Sequence, residues 1–208
     1  LHWYEEWSRY SVLFEQTVDG SLARRFPMFV LALCVGLILW WFARGEEKTP
    51  TATRMMLIIG LSTFFLMFTP TKWTHHFGIY AGIGGAIAAY GAVVLSRLAL
   101  KSNRNRTFAF AAVLFLLALT FAGWNGWWYV SSYAVPWWDR TVQLKGIEAN
   151  TVVLAIALLV FVGSFVPIVG ALVSGFIAVA LAFVAKGPVT ALIMLGVVIA
   201  PPAVELTD

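Results

Sequence analysis

The chain has 208 residues, 61% hydrophobic and 12% charged, with a net charge of +4. Soluble domains are nearer half apolar and a quarter charged, so this composition, with a mean hydropathy of +0.84, excludes an ordinary globular fold and marks an integral membrane protein. The basic residues lie scattered between apolar runs and form no stripe, which argues against nucleic acid and for membrane lipid as the charged partner.

Residues 1–25 read as an amphipathic lead-in. Leu1 is not a start methionine and no cleavable leader pattern opens the chain, so it reads as an internal piece of something larger. A bilayer core about 30 Å thick needs roughly 20 apolar helical residues. Residues 26–42 are the first such span, flanked by Arg24, Arg25 and Arg44. Within it, Cys34 is the one cysteine, so there is no disulfide framework, and it reads as a small buried hydrophobe. Residues 55–69 form the second span, stopped by Pro70, which disfavours helical geometry in the residue before it. Residues 77–95 are the third, closed by Arg97 and Lys101, and residues 107–124 the fourth. From 151 to 185 only Gly163, Ser164 and Pro167 interrupt the apolar character. That is too long for one span, so it divides into 151–163 and 165–185, or else a loop is missing near 163–164. Residues 189–200 would add a short, re-entrant segment. The expected fold is an all-α polytopic helix bundle over residues 26–208, with about six transmembrane helices.

Residues 43–54 and 96–106 share a side if the spans alternate, and that side carries Arg44, Lys48, Arg54, Arg97, Lys101, Arg104 and Arg106. The positive-inside tendency makes it cytoplasmic, which places residues 70–76 and 125–150 outside with the lead-in. Arg24 and Arg25 then fall on the outer side, against the rule. Asn105-Arg-Thr107 matches a glycosylation sequon on the cytoplasmic side, where chance explains it best. On the third span Gly78, Gly82, Gly84 and Gly85, with Ala81 and Ala86, make a small-residue face suited to close helix packing. The same letters partly mimic a dinucleotide fingerprint, but Ile87 takes the third glycine position and no strand precedes it.

The stretch 69–78, TPTKWTHHFG, gathers polar groups between two apolar spans. Thr74 suits an N-cap of the third span, with His75 and His76 in its first turn and Lys72 and Trp73 just outside. A helix start offers free N–H groups and partial positive charge, a ready anion site. Lys72 adds a full charge and protonatable histidines can add more. The same lysine and tryptophan equally suit plain interfacial anchoring by snorkelling and an aromatic belt. A metal site is disfavoured, because adjacent helical histidines diverge by about 100° and no Asp, Glu or Cys stands nearby. A second polar cluster runs from Trp124, Asn125, Gly126, Trp127 and Trp128 to Trp137, Trp138, Asp139 and Arg140, and holds five of the ten tryptophans. Flat aromatic faces beside polar donors suit a sugar or lipid groove, with interface anchoring as the plainer use.

Three stretches, VDGSLARRF at 18–26, TPTKWTHHFG at 69–78 and NGWWYVS at 125–131, resemble in order the mycobacterial and corynebacterial Emb arabinosyltransferases, the ethambutol-target family. The likeness runs over about residues 9–139. It implies a membrane glycosyltransferase of the GT-C type, multi-pass in the plasma membrane with its active face outward. Such an enzyme moves D-arabinofuranose from decaprenylphosphoryl-arabinose to the arabinan of arabinogalactan or lipoarabinomannan. By the same resemblance Trp73, His75 and His76 belong to the donor and ethambutol pocket, with Lys72 a neighbour, and Trp124, Asn125, Trp127 and Trp128 are a weaker assignment to a sugar or lipid groove. A homodimer or heterodimer is compatible with it, and no cofactor is identifiable.

Family members are several times longer, with their catalytic aspartate in an outward loop and a carbohydrate-binding domain after the membrane part. Inverting transfer needs a carboxylate to deprotonate the acceptor hydroxyl. Glu5, Glu6, Glu15, Asp19 and Asp139 match no catalytic motif of the family, so no catalytic base is assigned in this chain. Two other readings remain: another polyprenyl-phosphate-dependent GT-C transferase, such as one using a mannosyl donor, and a non-catalytic lipid-binding or transport module. The last would be favoured by an inverted repeat, which the two halves do not display.

Overall fold

The computed structural model describes residues 2–16, 21–46, 49–126 and 135–165, and isolated positions 175, 179, 189, 190, 192, 193 and 195. The expected span at 165–185 therefore lies almost wholly, and that at 189–200 mostly, outside the described residues, and Trp127 and Trp128 lie outside them too.

The described chain is mostly helical. A 3-10 turn, Trp3–Glu5, and a short helix α1, Trp7–Ser11, lead to α2, Leu22–Ala43, and α3, Pro50–Leu66. A 3-10 segment, Thr74–Tyr80, runs directly into α4, Ala81–Ala99, followed by α5, Asn103–Phe121, and α6, Ala149–Gly163. Three helical stretches among the described residues are long and apolar enough to cross a membrane: Leu22–Ala43, Thr74–Ala99 and Asn103–Phe121. Pro50–Leu66 and Ala149–Gly163 are apolar but shorter.

Local chemistry explains the helix starts, which fall earlier than the apolar runs alone suggest. Thr49 caps α3, its hydroxyl accepting from the Ala52 N–H at 3.2 Å, and Pro50 fits the first turn because that position needs no N–H. Ser102 caps α5 in the same way, accepting from the Asn105 N–H at 3.1 Å. Caps of this kind let a helix begin in polar sequence, so α5 opens with five polar or charged residues, Asn103 to Thr107, before its apolar run begins. The Lys145-Gly146 pair closes a two-residue hairpin between β1, Gln143–Leu144, and β2, Ile147–Glu148. Both turn residues have positive φ, 50° and 81°, the geometry that matches strand twist in a two-residue loop and favours glycine.

Helix α2 packs on α4 and α5, and α5 packs on α6. A core cluster including Phe29, Leu31, Cys34, Ile38, Ile59, Phe77, Tyr80 and Ile87 joins α2, α3 and α4. The closest approach of α2 to α4 falls at Gly91, where an added Cβ would lie 2.6 Å from the Cys34 Cβ and Sγ. The close contact thus falls six residues, less than two turns, beyond Gly85, the last glycine of the small-residue face expected to pack a helix. A Cβ built at Gly78, Gly82, Gly84 or Gly85 meets no atom within 4 Å. Their missing side chains leave open space beside α4.

The two arginines that broke the positive-inside pattern are not loop charges. Because α2 starts at Leu22, both sit in its first turn, and Arg25 is fully buried. Its guanidinium donates to the carbonyls of Leu13 at 3.0 Å, Trp124 at 3.3 Å and Val12 at 3.4 Å, and to that of Glu15. These bonds tie the lead-in and the end of α5 to the start of α2. A charge that is consumed by backbone acceptors inside the protein says little about which loops face the cytoplasm.

Candidate functional site

The turn between α3 and α4 is organised around Arg9 of α1, which is 0% exposed. Its Nε and Nη2 donate to the Glu6 carboxylate at 2.9 and 3.3 Å. Nη1 donates to the Trp73 carbonyl at 2.9 Å and to His76 Nδ1 at 2.6 Å. Nη2 also reaches Thr69 Oγ1 at 2.6 Å, the Thr71 carbonyl at 3.2 Å and that of Leu66 at 3.3 Å. A planar guanidinium with donors on every edge can satisfy many inward-pointing carbonyls at once. The turn closes because it has this one cation to wrap around.

Lys72 is buried too, its ammonium donating to the Met67 carbonyl at 2.6 Å and the Thr69 carbonyl at 3.2 Å. It also lies 3.1 Å from the Glu6 carboxylate. An ammonium has three N–H donors, and these three partners match them. Lys72 was expected to offer its charge to an outside anion; in the structure that charge is turned inward. Thr74 is likewise not the cap. Trp73, in extended geometry, takes that position at the head of the 3-10 segment, and the Thr74 hydroxyl accepts from Arg24 Nη1 at 2.9 Å.

Beside this turn a groove of about 490 Å³ runs between the first turns of α2 and the Thr74–Ala88 side of α4. Its walls are apolar: Phe26, Pro27, Val30 and Leu31 from α2 face Phe77, Ala81, Ala88 and the open glycines Gly78, Gly84 and Gly85. The polar side chains in the lining are Arg24, Thr74, His75 and Tyr80; the Arg24–Thr74 bond brings the first two together with His75 next in sequence, while the Tyr80 hydroxyl meets that of Thr63 at 3.0 Å. From Thr74 to Ala88 a helical wall extends roughly 20 Å. The shape is a trough for an extended apolar chain with a cationic mouth. No acidic residue is among the described residues that line it.

The histidines have separate surroundings. His75 is exposed and lines the groove, with Trp73 roughly parallel to it at 6.5 Å between ring centres. His76 is half-buried and meets His75 edge-on at 4.3 Å, with its Nδ1 held by Arg9.

Residues 1–170 match the model of a family described as "Mycobacterial cell wall arabinan synthesis protein". The chain belongs to this family. The match reaches beyond both ends of the stretch its three motifs delimit. Over 155 residues the chain is 47% identical to probable arabinosyltransferase B of Mycobacterium avium, covering 72% of this chain and 14% of that protein. It is 45% identical over 159 residues to probable arabinosyltransferase B of Mycobacterium tuberculosis, with 74% and 14% covered, and 44% identical over 149 residues to probable arabinosyltransferase C of Mycolicibacterium smegmatis, with 70% and 14% covered. The cryo-EM structure of arabinosyltransferase EmbB from Mycobacterium smegmatis superposes with a TM-score of 0.58 at 34% identity, over 81% of this chain and 17% of that one. The chain thus spans about one seventh of the length of the curated relatives it matches.

Among the described residues of the second aromatic cluster of this arabinan-synthesis family member, none lines the groove. The Trp124 carbonyl accepts from Arg25. Asn125 closes the loop beyond α5, its backbone N–H donating to the Trp137 carbonyl and its side chain to that of Pro136, each at 3.0 Å. Trp137 holds a positive φ of 56° and donates its indole N–H to the Gln143 carbonyl at 3.2 Å. Asp139 pairs with Arg140, both O···N distances being 2.8 Å, and that bond holds its carboxyl below the usual range. Glu6 is committed to Arg9 and Lys72, and Glu5 to the His2 N–H. Residues missed in the sequence are Glu6, Arg9 and Arg24. The Glu6–Arg9 spacing of three was a visible helical pair, but nothing local links it to His76, 67 residues away.

Proposed function

We propose that this chain is the donor-binding part of a membrane arabinosyltransferase, which transfers D-arabinofuranose from a polyprenyl-phosphate carrier to cell-wall arabinan at the outer face of the plasma membrane. The observation that carries this reading is the groove, an apolar trough with Arg24, Thr74 and His75 gathered at one mouth. A polyprenyl chain matches the apolar walls and its phosphate matches Arg24, Thr74 and His75. Arg24 supplies the positive charge there, a role first expected of Lys72. His75 and His76 add hydrogen-bond donors, and Trp73 an aromatic face beside the sugar. As the glycosidic bond breaks, negative charge grows on the departing phosphate, and fixed donors at that point lower the barrier. The carboxylate that deprotonates the acceptor is not among the described residues lining the groove. Family membership supports the arabinosyl donor and the GT-C type of chemistry.

Transfer by the full-length protein in proteoliposomes, assayed with a synthetic polyprenyl-phosphate-arabinofuranose, tests the reading. His75→Ala is expected to raise donor KM by roughly 10-fold or more, as loss of a hydrogen bond to a charged group does. Gly85→Leu, which places a side chain into the open groove, is expected to raise it as well. Unchanged transfer in both variants would sink the reading, and a preference for the matching mannosyl donor would move it to another carrier-dependent transferase.

A further inference from the structure

We propose that Arg9 is a positioning residue that holds His76 as a neutral ring with its proton on Nε2, so that the imidazole pair at the groove mouth acts as hydrogen-bond donors. This inference rests on reading the groove as the site of a lipid-linked phosphate.

A guanidinium has donors and no acceptor. The 2.6 Å contact between Arg9 Nη1 and His76 Nδ1 therefore has one chemical meaning. Nδ1 presents its lone pair, and the ring's proton sits on Nε2. A ring protonated on both nitrogens would set two donors against each other at that distance. The other charged groups around His76 do not compete for Nδ1. Glu6 is an acceptor and is committed to Arg9 and Lys72, and Lys72 spends its ammonium on Glu6 and the carbonyls of residues 67 and 69. His75 touches His76 by ring packing, at 4.3 Å.

Arg9 cannot slide out of this role. It is fully buried, and the same guanidinium grips the Trp73 carbonyl, two residues before the histidine pair. The tautomer and the ring's orientation are thus set by a residue from the lead-in, in the way that a partner on one imidazole nitrogen fixes the chemistry of the other. His76 is a half-buried neighbour of the groove-lining His75, so its Nε2–H becomes a directed donor for an anionic oxygen. His76 then brings a hydrogen bond to the mouth and not a positive charge.

The test measures donor KM and kcat separately in the full-length protein, with a synthetic polyprenyl-phosphate-arabinofuranose in proteoliposomes. Arg9→Met is expected to raise donor KM roughly 10- to 100-fold, the scale of a hydrogen bond to a charged group. In a His76→Gln background, where the side-chain amide donates whatever its neighbour, Arg9→Met should change KM by less than about threefold. An equal rise in both backgrounds means that Arg9 acts only by holding the turn, and overturns the proposal. A second pair leaves Arg9 intact and decides the matter should Arg9→Met not fold. His76→Gln keeps a donor and should stay within about tenfold of the parent, whereas His76→Phe keeps the ring and loses the donor and should match Arg9→Met. Equal loss in His76→Gln and His76→Phe also overturns it. Failure of the groove reading shows elsewhere, as a parental KM in His75→Ala and Gly85→Leu.

Discussion

Glu6→Ala is expected to open the turn between α3 and α4, at a local cost of about 3–5 kcal/mol. Glu6 is the acid that both buried cations share, at 2.9 Å from Arg9 Nε and 3.1 Å from Lys72 Nζ. The two cations have side chains 0% and 1% exposed, so neither can turn to water without the turn coming apart. Removing one member of a buried ionic group is far more damaging than replacing the whole group, because the remaining charge stays desolvated. Hydrogen exchange reads this locally, whatever the stability of the rest of the protein. Backbone amides over residues 66–80 should exchange about two to four orders of magnitude faster in Glu6→Ala, while those of α5 change little. Parental protection over residues 66–80 would show that the ion cluster is not what holds the turn.

Gly123→Ala is expected to release the other buried arginine. A Cβ at residue 123 would stand 1.0 Å from Arg25 Nη1 and 1.6 Å from its Cζ, so the guanidinium must leave its place. In leaving, it gives up the carbonyls of Val12, Leu13, Glu15 and Trp124 together. Overpacking alone costs about 1–3 kcal/mol, and losing bonds to a charged group costs a similar amount again. The expected total is about 3 kcal/mol or more, seen as lost protection over residues 12–16 and around residue 124. Since both changes act on one contact, their effects should not add. Arg25→Met with Gly123→Ala should be no worse than Arg25→Met alone, and a double variant as unstable as the sum of the two would show that Gly123 matters for another reason.

Much of the architecture was legible in one dimension. Composition put the chain in a membrane, and the apolar runs located the helices, since a bilayer imposes length and hydrophobicity on each span separately. The starts were misjudged by up to a turn or more, because the apolar run was counted where the cap should have been. Thr49-Pro50 and Ser102 carried that information. The Lys145-Gly146 pair likewise carries its turn signal locally, in a glycine placed where φ is positive. The polar stretch at 69–78 stood out because charge is costly among apolar spans, yet the use of each of its residues could not be read from it. Lys72, the obvious cation, faces inward, and Arg24, which looked like a flanking charge, lines the groove.

The sequence by itself determined the membrane class, the helical segments among the described residues, the family and the location of the histidine pair. These depend on composition, periodicity and short motifs, each a property of neighbouring residues. Tertiary structure alone decided which cation meets which acceptor. Arg9 finds His76, Arg25 fills the space left by Gly123, and the open glycines of α4 make a groove wall while Gly91 makes the close contact with Cys34. Those outcomes depend on how helices far apart in the chain are placed and rotated against one another. A guanidinium or a missing Cβ has no intrinsic preference for one distant partner until packing brings that partner within reach.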